Sequence, residues 1–288
     1  MRSRVIFVCS VLLVARMAAA SGNSLEDALN HQYKKQTYSL RHPVSSDSQR
    51  FDSSGKVLDG APEGPWTIYG RLNIKKIKLT PGKLIIEGQR SGYRFDSRER
   101  KLASRTLKGS ARLEIDLGQP LASADAANAL LGSIFAFSKE DFLASVSPVW
   151  RSYLESYIET YSDDGRNLQF KKHADQKKGT AVREQQKGKA ESGVYHVGNG
   201  VAAPVPISTP DPDYSDTARH AKFQATNVFS MVVDVNGRVT NLQILQPAGL
   251  GLDENSMQRL KTWTFHPATK DGQPVSVMVS VEVSFRLY

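Results

Sequence analysis

Val275-Ser-Val-Met-Val-Ser-Val-Glu-Val-Ser-Phe-Arg-Leu287 leaves one residue, Tyr288, before the end of the sequence. Every second position is apolar: Val275, Val277, Val279, Val281, Val283, Phe285 and Leu287. Between them stand Ser276, Met278, Ser280, Glu282, Ser284 and Arg286. Strict alternation is the pattern of a β-strand with one buried and one wetter face. At about 3.3 Å per residue such a strand reaches roughly 40 Å, about twice the usual length. A strand that outruns its neighbours leaves N–H and C=O groups unpaired. It is then either a core strand with a frayed end, or an edge that is protected or takes another chain.

Working back from this strand, Lys270-Asp-Gly272-Gln-Pro274 reads as a turn, with Trp263-Thr-Phe265-His-Pro267-Ala leading into it. Asp253 is placed as the N-cap of a helix, Leu252 and Met257 as its hydrophobic staple, and Leu260 on its buried face. Phe229, Met231, Val233 and Val235 alternate into Asn236-Gly237, a strong two-residue hairpin signal. The return strand carries Val239, Leu242, Ile244 and Leu245. Ser215-Asp216 caps a short helix from Thr217 to Lys222, and Pro204, Pro206, Pro210 and Pro212 hold an extended approach to it. The order predicts a small two-layer α+β domain over residues 206–288, with a three-stranded antiparallel sheet and two helices.

This region resembles the C-terminal domain of the TonB family of energy transducers. The resemblance rests on Pro212-Asp-Tyr214 with Ala218, Val235-Asn-Gly237-Arg-Val239 and Gly251-Leu-Asp253. It continues through Trp263-Thr-Phe265-His-Pro267-Ala268, Asp271-Gly272-Gln-Pro274-Val275 and Val283-Ser-Phe285. What it implies is a periplasmic domain whose sheet edge pairs with the TonB box, a short extended peptide of outer-membrane receptors, by β-strand addition. On this chain the implied edge is Gln273, Pro274, Val275, Ser276, Val277, Met278, Val279 and Ser280. Main-chain bonds would supply affinity, and Ser276, Met278 and Ser280 would set register. The other motif residues read as fold determinants: Gly237 for positive φ, Trp263 and Phe265 for core, Pro267 for a turn. A transducer of this family resembles a tether, with a membrane helix, a Pro-rich spacer and then this domain. Energy coupling here would need the N-terminal segment to be retained as an anchor.

Upstream, residues 162–205 are rich in Lys and Arg and poor in large apolar residues, the composition of a basic flexible linker. A helix around Thr180 to Glu191 would have no apolar face. Residues 64–161 read as a separate α+β domain of unassigned role. Trp66, Ile68, Gly70, Leu72 and Ile74 alternate as a strand, Leu84 to Glu87 follows a turn, and Ala111 to Leu117 alternates again. Arg90 to Lys108 is charged and reads as a long, mobile hairpin connection. Helices open at Ser123, Ser138 and Ser147-Pro148, the last with an apolar stripe of Trp150, Tyr153, Leu154, Tyr157, Ile158 and Tyr161. Residues 21–63 form a polar N-terminal segment with one short helix capped by Ser24.

Arg2 and Arg4, the apolar run Val5 to Ala15 and Ala18-Ala-Ala20 describe a secretory signal peptide cut after Ala20. That run would make about 16 Å of helix against a bilayer core of ~30 Å. Retained, the segment would instead be an inner-membrane anchor. Cys9, the only cysteine, lies inside it, so the exported chain is expected to have no disulfide. A net charge of +9 suggests a polyanionic partner. Export to the periplasm makes that partner an anionic envelope surface and not nucleic acid.

No G-x-S-x-G, Walker loop, H-E-x-x-H or cysteine pair is present. Histidines at 31, 42, 173, 196, 220 and 266 are scattered singly, and Asp211 and Asp213 have no further ligands nearby. No catalytic residue, metal or cofactor is expected. Three readings follow, in order: a TonB-like receptor-binding or coupling protein; an envelope scaffold whose strand edge pairs with its own copy as a homodimer; an enzyme seated in residues 64–161.

Overall fold

A computed structural model of the chain describes residues 22–58, 63–172 and 193–287. The expected signal segment and the helix around Thr180 to Glu191 lie outside these residues. Helix α1 (Gly22–Tyr33) precedes β1 (Thr37–Leu40), β2 (Ser48–Phe51), a helical turn α2 (Trp66–Tyr69) and β3 (Arg71–Leu79). Then come β4 (Lys83–Asp96), β5 (Lys101–Thr106) and β6 (Ala111–Asp116). Helix α3 (Ala124–Ile134), β7 (Phe135–Ala136), α4 (Lys139–Ser145), α5 (Pro148–Tyr157), β8 (Ile158–Tyr161) and β9 (Leu168–Phe170) complete the N-terminal unit. The C-terminal unit is β10 (Val194–His196), β11 (Val205–Ser208), α6 (Asp216–His220), β12 (Ala225–Val233) and β13 (Val239–Gln246). It ends with α7 (Leu252–Leu260), β14 (Thr264–His266), β15 (Ala268–Lys270) and β16 (Gln273–Phe285).

The N-terminal sheet has the order β2-β6-β4-β3-β1-β7, with β5 also paired to β4. Strands β1 and β2 come from residues 21–63, so the expected polar segment supplies part of this sheet. Trp66 to Tyr69 is a helical turn rather than the start of a strand. It lies directly on β4 because a Cβ at Gly92 would stand 2.2 Å from the Thr67 carbonyl oxygen.

The stretch Arg90 to Lys108 is not a mobile connection. It forms the far half of β4 and the whole of β5, paired from Ser91↔Thr106 to Asp96↔Lys101. Its charge is misleading because one arginine is buried with partners. The Arg90 guanidinium donates to the carbonyls of Ser46 (2.7 Å) and Tyr69 (3.3 Å). Nearby, Arg71 donates to Tyr93 Oη (2.7 Å) and to the Thr37 carbonyl (2.8 Å). Their terminal nitrogens hold the buried charge, while the Nε of each has no partner among the described residues. Residues 158–170, partly assigned to the linker, also fold: β8 and β9 pair, and Leu168 and Phe170 are buried.

In the C-terminal unit β13, β12 and β16 pair antiparallel, but within a five-stranded sheet and not the expected three-stranded one. Strands β10 and β15 are the other two. Ser215 caps α6, accepting from Ala218 N at 3.1 Å. The hairpin after β12 is longer than a two-residue turn. Asp234 Oδ1 accepts from Asn236 N and Arg238 N, and Gly237 sits at φ +75°. Asp253 is not the N-cap of α7; Gly251 holds that position at φ +81°. Asp253 lies two residues further on, is buried, and accepts from Ala248 N (2.9 Å), Gly249 N (2.7 Å) and Asn227 Nδ2 (3.1 Å). Its carboxylate ties the β13–α7 loop to β12.

The two units share a core. Trp66, Tyr93, Phe142, Trp150 and Leu154 cluster with Phe229, Ile244, Leu252, Leu260 and Phe285. Polar contacts cross the same boundary: Trp150 Nε1 donates to Glu254 Oε1 (2.9 Å), and Leu250 N donates to Thr67 Oγ1 (3.1 Å). A second cluster fills the N-terminal unit between its sheet and α1 and α3, with Leu29, Ile74, Ile86 and Leu131 among its buried members. A third, smaller one holds Val201, Met231, Val233, Phe265, Ala268 and Val277.

Two predictions follow from this packing. A Cβ on Gly237 would stand 1.7 Å from the Phe265 carbonyl oxygen, at a φ that L-residues rarely adopt. Gly237→Ala should therefore lower unfolding free energy by at least about 1–3 kcal/mol, read by denaturant unfolding. The second prediction concerns pH. Burial, reinforced by Glu254, pushes the Asp253 carboxyl from 3.8 to about 7, and burial raises Glu254 as well. A folded pKa above the unfolded one favours the protonated fold, so this stability is lost as pH rises through about 7. The carboxyls of Glu114 and Asp141 are held low by hydrogen bonds from Arg112 and Arg41, and their contribution is lost only in acid. Unfolding free energy should thus decline as pH rises from 3.8, the unfolded carboxyl's value, to about 7, and Glu254→Gln should flatten the decline. An unchanged slope in that variant would refute the assignment.

Candidate functional site: the outer side of the last strand

β16 pairs with β12 along nine positions, from Val277↔Val233 to Phe285↔Ala225. It overshoots β12 at its beginning. There β15 turns back onto it, with Lys270↔Gln273, Thr269↔Pro274 and Ala268↔Val275 in register. The connecting Asp271 and Gly272 both have positive φ, +52° and +77°, as a tight two-residue hairpin requires.

The other side of β16 carries β10. The pairing is parallel: Val194↔Ser276, Tyr195↔Val277 and His196↔Met278. Val277 and Met278 pair with β12 as well, so β10 occupies the side of β16 that faces away from β12. Beyond Met278, no described strand lies along that side of Val281–Phe285.

The expected site residues therefore fall into distinct environments. Gln273 and Pro274 are exposed on the hairpin with β15. Val275, Val277 and Val279 face the third core cluster, Val277 fully buried, so their side chains are committed to packing. Ser276, Met278 and Ser280 share the wetter face. Among the motif residues, Tyr214 packs edge-to-face on Phe285 with centroids 5.3 Å apart and donates to the Phe223 carbonyl (2.7 Å). Trp263 Nε1 donates to the Pro210 carbonyl (2.9 Å), while Ala218 and Phe265 are buried. Pro212 and Pro267 flank the short elements α6 and β15. Gly237, Asp253 and Gly272 set the backbone turns described above.

β10 falls within the stretch that composition assigns to a linker. Its signal is small but legible: a β-branched and aromatic run, Val194-Tyr-His-Val197, followed by Gly198-Asn-Gly200. Gly198, Asn199 and Gly200 all take positive φ and close a turn in which Gly198 and Val201 exchange backbone bonds of 3.1 Å each. Val201 is buried in the third cluster, and Ala202 N donates to the Thr269 carbonyl (2.8 Å). Lys270 Nζ stands 4.7 Å over the Tyr195 ring. The attachment is unequal along the segment. Burying Val201 contributes roughly 1.5–3 kcal/mol, whereas Tyr195 and His196 are exposed. Their main-chain bonds contribute about 0.5–1.5 kcal/mol each.

Residues 210–287 match the profile of the family described as Gram-negative bacterial TonB protein C-terminal. The chain is 29% identical over 77 residues to Protein TonB of Vibrio cholerae serotype O1, covering 26% of this chain and 32% of that protein. It is 32% identical over 91 residues to Protein TonB of Xanthomonas campestris pv. campestris, covering 30% of this chain and 41% of that protein. A solution NMR structure of the Pseudomonas aeruginosa TonB C-terminal domain is 16% identical, with a TM-score of 0.26 over 34% of this chain and 96% of that one. The family profile and the curated relatives bear out the resemblance of the C-terminal unit to the TonB C-terminal domain. The chain spans between 32% and 41% of the length of these curated relatives. Among the described residues no helix is long and apolar enough to cross a membrane.

The pairing pattern predicts an exchange gradient along one strand. Among β16 amides that point away from β12, those within Ser276–Met278 should exchange more slowly than those within Val281–Phe285. Hydrogen exchange resolved by NMR would read this, and uniform rates along that side would contradict the β10 pairing.

Proposed function

We propose that this protein is a TonB-like envelope component that binds an extended segment of an outer-membrane receptor by β-strand addition along the outer side of β16. The observation that carries the reading is β10. Three residues of the chain already pair in parallel with that side of β16, which supports the view that it accepts an added strand. Affinity would come from main-chain bonds, with the wetter-face residues Ser276, Met278 and Ser280 setting register. The TonB family relationship supports linking this binding to energy-dependent transport across the outer membrane, by a binding and coupling protein rather than an enzyme. The basic start, apolar run and A-x-A end of the first twenty residues support a periplasmic location. Retention of that segment would supply the inner-membrane anchor that force transmission needs. The net charge of +9 is consistent with contact to anionic envelope surfaces.

The test is an NMR titration of residues 21–288 with synthetic peptides copied from the N-terminal segments of outer-membrane receptors. Saturating amide shifts concentrated on Ser276–Phe285 are expected. A concentration-dependent homodimer that protects Val281–Phe285, with no peptide-induced shifts, would replace this reading with the self-pairing scaffold.

A further inference from the structure

β10 lies where an added strand would lie. It shares the parallel register of Ser276–Met278, it is three residues long, and none of its side chains is buried: Val194 is half-buried, Tyr195 is 37% exposed and His196 is exposed. Behind it the turn at Gly198–Gly200 is built of positive-φ residues. The next residue, Val201, is buried, and Ala202 is bonded to β15. The segment is thus anchored on one side of a glycine turn and lightly held on the other.

We infer that Val194–His196 is an internal stand-in for the partner strand, occupying the outer side of β16 until a better-matched strand replaces it. This rests on the strand-addition reading of β16 and adds its regulation and part of its specificity. Replacement would proceed by β10 swinging out about Gly198–Gly200 while Val201 and Ala202 keep their place on β15. The stand-in also describes what should displace it: an extended segment that runs parallel to β16. Such a segment would carry an aromatic residue opposite Val277, within reach of Lys270 Nζ as Tyr195 is now. While β10 is seated only a fraction of the protein is competent, so apparent affinity is reduced by that fraction.

The test uses the chain from residue 21, which lacks Cys9, the only cysteine. In one variant Val194→Pro, Tyr195→Pro and His196→Pro together remove the donors of β10 whichever of them face β16. In a second, His196→Cys with Met278→Cys places two thiols at directly paired positions on the wetter face, so that oxidation locks β10 in place. The probes are a synthetic peptide of residues 193–201 and the receptor N-terminal peptides. The triple-proline variant should bind both at least about tenfold more tightly than the parent chain, with shifts on Ser276–Met278. The oxidised cysteine variant should lose binding and regain it on reduction. Lys270→Ala in the triple-proline background should weaken the 193–201 peptide.

Equal affinity of the parent, triple-proline and oxidised chains, with shifts still on β16, would overturn the stand-in while leaving strand addition intact. Failure of every variant to bind any peptide on β16 would overturn both. Circular dichroism and the shifts of Phe229 and Trp150, distant from β10, establish that each variant is folded.

Discussion

The C-terminal unit depends on one requirement: the backbone groups of the thirteen residues of β16 must be bonded, by other strands or by water. β12 meets this on one side for nine positions, and the surplus is met piecemeal. β15 folds back over the first three residues and β10 adds to the next three on the outer side. A strand this long would otherwise present a run of unpaired donors and acceptors, the template for uncontrolled pairing with other chains. Covering part of it with a short, weakly buried strand blunts that hazard without abolishing the capacity to pair. The same geometry stabilises the strand and carries the recognition proposed for its outer side.

The rest of the molecule holds this sheet through buried polar groups that bond across it, although Asn227 Oδ1 and Glu254 Oε2 have no partner among the described residues. Asp253 binds two backbone amides and Asn227, so a carboxylate fixes the loop that launches α7. Trp150 of α5 donates to the neighbouring Glu254, and Thr67 of α2 accepts from Leu250. These bonds surround an apolar cluster drawn from both units. The N-terminal unit is therefore part of the setting in which β12, β13 and β16 sit.

Much of this was legible in the residues. The alternation of Val275 to Phe285 predicted β16, and Ser123, Ser138 and Ser215 marked helix starts that the structure keeps, each accepting from a backbone amide. The spaced motifs from Pro212 to Phe285 pointed to the right family resemblance. The failures have a common cause. Arg90 looked like solvent-exposed loop because charge is normally exposed, yet its guanidinium is buried against carbonyls from distant segments. Asp253 looked like a cap because aspartate before an apolar run usually is one, yet its partners are Ala248, Gly249 and Asn227. Three residues at 194–196 looked like linker because a strand so short carries almost no periodic signal.

The sequence by itself determined the local elements: which residues alternate, where helices start, where glycine permits a turn. These follow from side-chain periodicity and backbone preference, which act over a few residues. Only the tertiary structure decided what each element lies against. That β10 returns to the outer side of β16, that Trp150 reaches Glu254 and that Val201 enters the third cluster depend on contacts between residues far apart in the chain. Those contacts are selected by shape, burial and hydrogen-bond satisfaction in three dimensions, and no stretch of the sequence encodes them alone.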